Sequence, residues 1–206
     1  MAQRRWVPWL GLGVLALLVL SGLQPYERGT WLMEVAPILI AAPILVATWR
    51  RFPLTSLLYV LIALHALILI AGGAYTYARV PLGFWMQDLL HLSRNPYDKL
   101  GHFAQGFVPA LIAREVFLRR RIVSSRAWAV GLAVAVALAI SALYELVEWG
   151  AALALGQGAD AFLGTQGDIW DTQSDMGMAL VGALLAMLCL SRVHDRQLAA
   201  LAPPAA

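Results

Sequence analysis

Asn95-Pro96-Tyr97-Asp98-Lys99-Leu100-Gly101-His102-Phe103-Ala104-Gln105 runs a cluster of ionisable groups straight into an apolar segment. Read as a surface loop, the stretch is merely charged. Read as the opening turns of a membrane helix, it carries a histidine into the membrane and organises what lies around it. The rest of the chain decides between the two. Of 206 residues, 61% are hydrophobic and only 13% charged, against about 25% charged in soluble domains. With a mean hydropathy of +0.71, the chain reads as one all-α integral membrane domain over residues 1–206. The net charge is +3, carried almost wholly by arginine with Lys99 as the single lysine. Basic residues in such a chain mark membrane edges, which argues against nucleic-acid binding. Cys189 is the only cysteine, so an intramolecular disulfide and a cysteine metal cluster are excluded.

Membrane helices need about 20 mostly apolar residues, and a window of that size finds six. They run from Trp6 to Leu23, Trp31 to Trp49, Leu54 to Tyr75, Lys99 to Leu118, Ala127 to Trp149 and Asp171 to Ser191. The first follows Arg4 and Arg5 as a signal peptide would, but a turn at Ser21 to Pro25 replaces any small-residue cleavage site, so it is expected to stay uncleaved. The second and fourth are weakened by Glu34, Pro37 and Pro43 and by His102, Gln105 and Pro109 but stand, since proline is tolerated in membrane helices when neighbours satisfy the freed backbone.

Placing the N-terminus in the cytoplasm puts eleven of the fifteen basic residues inside: Arg4, Arg5, Arg50, Arg51, Arg114, Arg119, Arg120, Arg121, Arg126, Arg192 and Arg196. Arg28, Arg79, Arg94 and Lys99 fall outside. This positive-inside asymmetry predicts two cytoplasmic termini in the bacterial inner membrane. Tryptophans near the predicted helix ends fit an aromatic belt. Between the third and fourth spans, Phe84 to Leu92 mixes aromatic, apolar and polar residues at near-helical spacing and is expected to lie in the outer interface. Gly150 to Gly167 reads as a loop and Leu201 to Ala206 as a disordered tail.

On this topology the polar chemistry gathers at one face. Nine of the twelve acidic residues lie between Asp88 and Asp175. Asp98, His102 and Gln105 share a helix face at i, i+4, i+7; Glu145 and Glu148 share one at i, i+3; Asp168, Asp171 and Asp175 form a third stripe. Intramembrane ionisable groups cost at least about 2.5 to 3.5 kcal/mol each and so face a bundle interior or water. Asp98, Asp168 and Asp171 also suit simple helix capping. His65 reads as an interior histidine satisfied by a neighbouring helix, while His91 and His194, in loops or at ends, carry no signal.

Two chemistries fit the cluster. A divalent metal held by His102, Glu148, Asp171 and Asp175 would leave a position for an activated water. Alternatively, crowded carboxylates, Glu145 and Asp98 among them, supply a metal-free acid and base with His102 as proton carrier.

The runs Tyr97-Asp98-Lys99-Leu100-Gly101-His102-Phe103, Tyr144-Glu145-x-x-Glu148-Trp149 and Asp168-x-x-Asp171-Thr172-Gln173-x-Asp175-Met176 resemble the YjdF-type bacterial inner-membrane family, whose function is unknown. More distantly, Asp98, Lys99, His102, Phe103, a glutamate at 145 or 148, Asp171, Asp175 and Gly182 are similar to the pattern of the VanZ-like superfamily, linked to glycopeptide resistance. That pattern favours Asn at 175 and Gln at 149, where this chain has Asp and Trp. The resemblance implies that these residues form one site.

The expected function is an extracytoplasmic-facing acid and histidine site acting on a lipid or lipid-linked envelope precursor by hydrolysis or transfer. Lys99, Arg94 and Gln105 are expected to bind substrate, the two bases by holding a lipid phosphate. The alternatives are an ion-coupled transporter and a non-catalytic membrane scaffold or resistance factor.

Overall fold

The computed structural model describes residues 5–155 and 166–201. Arg4 of the expected basic edge, positions 156–165 of the expected loop and tail positions 202–206 lie outside the described residues. The described chain is helical, with no strand: α1 (Val7–Leu23), α2 (Arg28–Thr48), α3 (Ser56–Tyr75), a short 3-10 turn (Tyr77–Arg79), α4 (Pro81–Leu90), α5 (Tyr97–Arg119), α6 (Arg126–Leu155) and α7 (Asp171–Ala199). By length and composition, α2, α3, α6 and α7 suffice to cross a membrane, and α1 is a shorter apolar helix. α5 is 23 residues long but carries Asp98, Lys99, Arg114, Glu115 and Arg119, which lower its apolarity. The six expected spans therefore correspond to six long helices, four of which qualify on apolarity alone.

The helix starts follow local chemistry. Glu27 caps α2, its carboxylate accepting from Gly29 N–H at 2.9 Å and Thr30 N–H at 2.5 Å. Proline opens α1 and α4, where its missing N–H costs nothing. α4 is a short helix at the stretch whose near-helical spacing stands out between the third and fourth spans. It exposes Leu82, Phe84, Trp85, Leu89 and Leu90, and it ends where His91 turns left-handed at φ 52°. Two helices run past their expected ends. Gly150 does not stop α6, because the good helix formers Ala151 to Leu155 follow it. α7 continues eight residues beyond Ser191, because its last turns are bonded to other helices, as described below.

α5 is the centre of the bundle, packed on α3, α6 and α7, while α1 and α2 pack on α3. Small residues let α5 and α7 approach backbone to backbone. A Cβ on Gly106 would strike the Ala179 carbonyl, and one on Gly182 would strike that of Phe103. Pro37 leaves the Met33 carbonyl, one turn back, without its helical donor. The Tyr144 hydroxyl of α6 donates to that carbonyl at 3.0 Å and so repairs the break.

At the end of α5 away from Asp98, a second polar knot ties four helices. Glu115, fully buried, accepts from the N–H and hydroxyl of Thr55 at 3.1 and 2.9 Å and from Arg119 at 2.6 Å. His194 is also fully buried, and its Nε2 meets Glu115 at 2.9 Å. Arg114 donates to His194 Nδ1 at 3.1 Å, which fixes the proton on Nε2, and to Asp195 at 2.7 Å. Arg126 of α6 bonds Asp195 at 2.7 Å. The expectation that His194 carries no signal is thus corrected: α7 extends far enough to bury it.

Candidate functional site

The stretch that opens α5 is built from its first residue. Asn95, almost wholly buried, accepts from Tyr97 N–H at 3.0 Å and donates to the Val80 carbonyl at 3.1 Å. Asn95 therefore does the capping at this end, and Asp98 is released from that role. Asp98 lies in the first turn with its side chain turned inward, 14% exposed. At α7, Asp168 accepts from Trp170 N–H at 2.9 Å, so it does take part in shaping the helix start.

Two layers of chemistry flank α5. On the α7 side, Arg94 bonds Asp168 and Asp171 at 2.8 and 2.6 Å, and Lys99 bonds Asp171 and Asp175, both at 2.7 Å. The two bases expected to hold a phosphate are thus engaged by carboxylates. Behind them, His102 Nε2 stands 3.5 Å from both Asp98 and Glu145. One ligand atom from each of Asp98, His102 and Asp175 lies within 4.8 Å of the others, a spacing that suits a metal ion. His102 is 5% exposed, and its Nδ1 has no hydrogen-bond partner among the described residues. Asp171 and Glu148, also expected as ligands, are not in that trio.

On the other side of α5 lies a cavity of about 120 Å³. Asp98, Gly101, His102, Gln105 and Pro109 form its α5 wall; Glu34 and Pro37, His65 and Leu69, and Tyr144 and Glu148 supply the others. The expected stripe Asp98, His102, Gln105 therefore lines one chamber, with Glu148 facing it and Glu145 beside His102. The Tyr144 ring meets His102 edge-on at 6.5 Å between centroids.

Three lining residues were not expected in a site. Glu34 is buried within 3.5 Å of the Tyr144 hydroxyl. Its signal was present in the sequence: a carboxylate three residues before a helix-interior proline in an apolar span. Tyr77 gave no signal, since a tyrosine after an apolar run reads as an interfacial anchor. His65 was expected to be satisfied by a neighbour, but its Nε2 has no hydrogen-bond partner among the described residues. His65 lines the cavity together with Pro37, a residue that has no N–H to offer it.

Among the described residues, seven carboxylates (Glu34, Asp98, Glu145, Glu148, Asp168, Asp171 and Asp175) lie on the two sides of the start of α5, and the bases bonded to them there are Arg94 and Lys99. Such an excess in a low-dielectric interior calls for protons or a further cation.

A family model described as "Predicted membrane protein (DUF2238)" matches residues 7–196. The inner membrane protein YjdF of Escherichia coli (strain K12) is 61% identical over 182 residues, 88% of this chain and 87% of the relative. The resemblance to YjdF-type proteins is thereby borne out, and the chain is a multi-pass protein of the bacterial inner membrane. No solved structure matches it.

Proposed function

The chain belongs to the DUF2238 family of predicted membrane proteins, and from that premise we propose that the chamber at the start of α5 is the active site of a membrane enzyme. Its substrate is a lipid or lipid-linked envelope precursor, whose headgroup it hydrolyses or transfers with the help of a divalent cation. The observation that carries this reading is the trio Asp98, His102 and Asp175, with donor atoms within 4.8 Å of one another and a bare His102 nitrogen; Asp98 and His102 also line the chamber, and Asp175 reaches them from the α7 side, outside its walls. Three protein ligands leave room for a water or a substrate oxygen, and a divalent cation offsets part of the carboxylate excess. An anionic headgroup would otherwise be repelled by these walls; a bound cation would give it a local positive partner.

In this reading Asp98, His102 and Asp175 hold the ion. Glu145, beside His102, takes the proton of the attacking water, and Glu148 across the chamber returns one to the leaving oxygen. Lys99 and Arg94 are positioning residues, since each bridges two carboxylates and fixes Asp171 and Asp175 in place. Gln105 and Tyr144 offer polar groups to the headgroup.

The test has two parts. Purified protein titrated calorimetrically with Mn²⁺ is expected to show one saturable site, lost in Asp175→Asn and His102→Ala. A deletion strain is expected to regain its lipid-linked precursor profile and glycopeptide sensitivity with the wild-type gene and not with His102→Ala. If well-folded His102→Ala restores both, the reading fails. One observation favours a second reading, an ion-coupled carrier: Pro37 and Pro109 each remove a backbone donor from a continuous helix beside a chamber lined by carboxylates. Proton- or sodium-coupled flux in proteoliposomes, abolished by Glu34→Gln, would establish the carrier instead.

A further inference from the structure

Beneath the polar chamber lies a second and larger cavity, about 380 Å³, bounded by α1, α2, α3 and α5. Pro37, His65, Leu69 and Pro109 belong to the walls of both, so the two adjoin. Three helices order their residues the same way along this pair of spaces. α5 presents Asp98, His102 and Gln105 to the polar chamber, Pro109 at the junction, then Val108 and Ile112 to the apolar one. α2 goes from Glu34 through Pro37 to Ala41 and Leu45; α3 goes from Leu69 and His65 to Ile62 and Tyr59. At about 1.5 Å per residue, Asp98 to Ile112 spans roughly 21 Å, most of the way across a hydrocarbon core of about 30 Å.

The lower walls are aliphatic, and the one phenol among them, Tyr59, is engaged by Leu54 N–H at 3.1 Å. Small residues, Gly11 of α1 and Ala41, Ala42, Ala63 and Ala66, keep the space open. α1 packs chiefly on α3 and little on α2, so the cavity flank lies between two loosely joined apolar helices. The bare Nε2 of His65 stands at the neck, where an amphiphile places the oxygens that join head to tail.

We propose that this cavity is the tail site of the substrate: one hydrocarbon chain of a membrane lipid, acyl or polyprenyl, whose headgroup occupies the polar chamber. The proposal rests on the headgroup reading above and deepens it to a substrate class. At the roughly 30 Å³ that a water-sized group occupies in a liquid, the space holds on the order of a dozen methylene-sized groups, so only the head-proximal part of a chain is enclosed. The remainder leaves between α1 and α2 into the bilayer.

The test uses the full chain in nanodiscs of phosphatidylethanolamine and phosphatidylglycerol containing a phosphatidylglycerol with a diazirine in one acyl chain. Irradiation is expected to place cross-links on α1, α2 and α3 residues that line the cavity. Gly11→Phe should cut them about tenfold, because Gly11 lines the cavity and a Cβ there meets no neighbour, which leaves room for the ring to fill the space a chain would take. Ala42→Phe, on the facing helix, is the second such variant. Gly131→Phe, at a position with equal room on α6, should leave them unchanged. Cross-links spread over the outer surface and indifferent to Gly11→Phe and Ala42→Phe overturn the tail site. The headgroup reading is scored separately: cavity cross-links that persist while His102→Ala leaves precursor profiles untouched keep the tail site and remove the chemistry.

Discussion

Glu27 is an uncommon N-cap, since the longer glutamate gives up more side-chain freedom than aspartate or serine would. Its hydrogen bonds to the backbone N–H groups of Thr30 and Gly29 hold its carboxyl below the usual range. A carboxyl whose folded value is depressed stabilises the fold above its unfolded value, and that contribution is lost as pH falls through the folded value. Hydrogen exchange at Gly29 and Thr30 is therefore expected to lose protection on acidification, and Glu27→Ala to lose it at all pH values at a cost of about 1 kcal/mol. Glu115 sits in the opposite situation, buried and shared among Thr55, Arg119 and His194. Glu115→Ala leaves three buried donors, the N–H and hydroxyl of Thr55 and His194 Nε2–H, without this acceptor, and a loss of about 3–5 kcal/mol is expected in detergent unfolding. His102→Ala, which removes a side chain with a bare nitrogen, should cost less stability than Glu115→Ala; an equal loss would speak for a purely structural role.

At the level of elements, α5 and α7 form the closest pair. Gly106→Ala or Gly182→Ala drives a methyl into a facing carbonyl, and about 1–3 kcal/mol or more of destabilisation is expected from overpacking, read as a lower melting temperature. Gly131→Ala, with open space at its Cβ, should do nothing or stabilise slightly. All six long helices were legible in the sequence because their apolar windows are long. The stripe Asp98, His102, Gln105 was legible because helix periodicity alone puts it on one face. What periodicity cannot give is which helix faces it. The α7 acids meet Lys99 and Arg94, while the polar chamber is completed by Glu34 and His65 from two spans whose facing the apolar pattern leaves open. His194 was missed for a related reason: a charged helix end looks like a cytoplasmic edge until tertiary bonds to α5 are known.

The whole molecule has two polar ends, the acid-lined mouth and the Glu115 knot, separated by the length of α5. The positive-inside count predicts that the knot faces the cytoplasm. A fluorescent protein fused at the C-terminus should glow, and an exported phosphatase fused there should stay inactive; the reverse pattern would turn the chamber toward the cytoplasm. Lys99 depends on an aspartate 76 residues downstream, which has a consequence for synthesis. At about 5–20 residues per second, Asp175 emerges from the ribosome roughly 4–15 s after Lys99. During that interval the start of α5 has no α7 carboxylate to pair with, so it is expected to linger beside the translocon until α7 arrives. A chain truncated before Asp171 should therefore leave α5 accessible to water-soluble reagents, and the bundle closes only when its last helix is made.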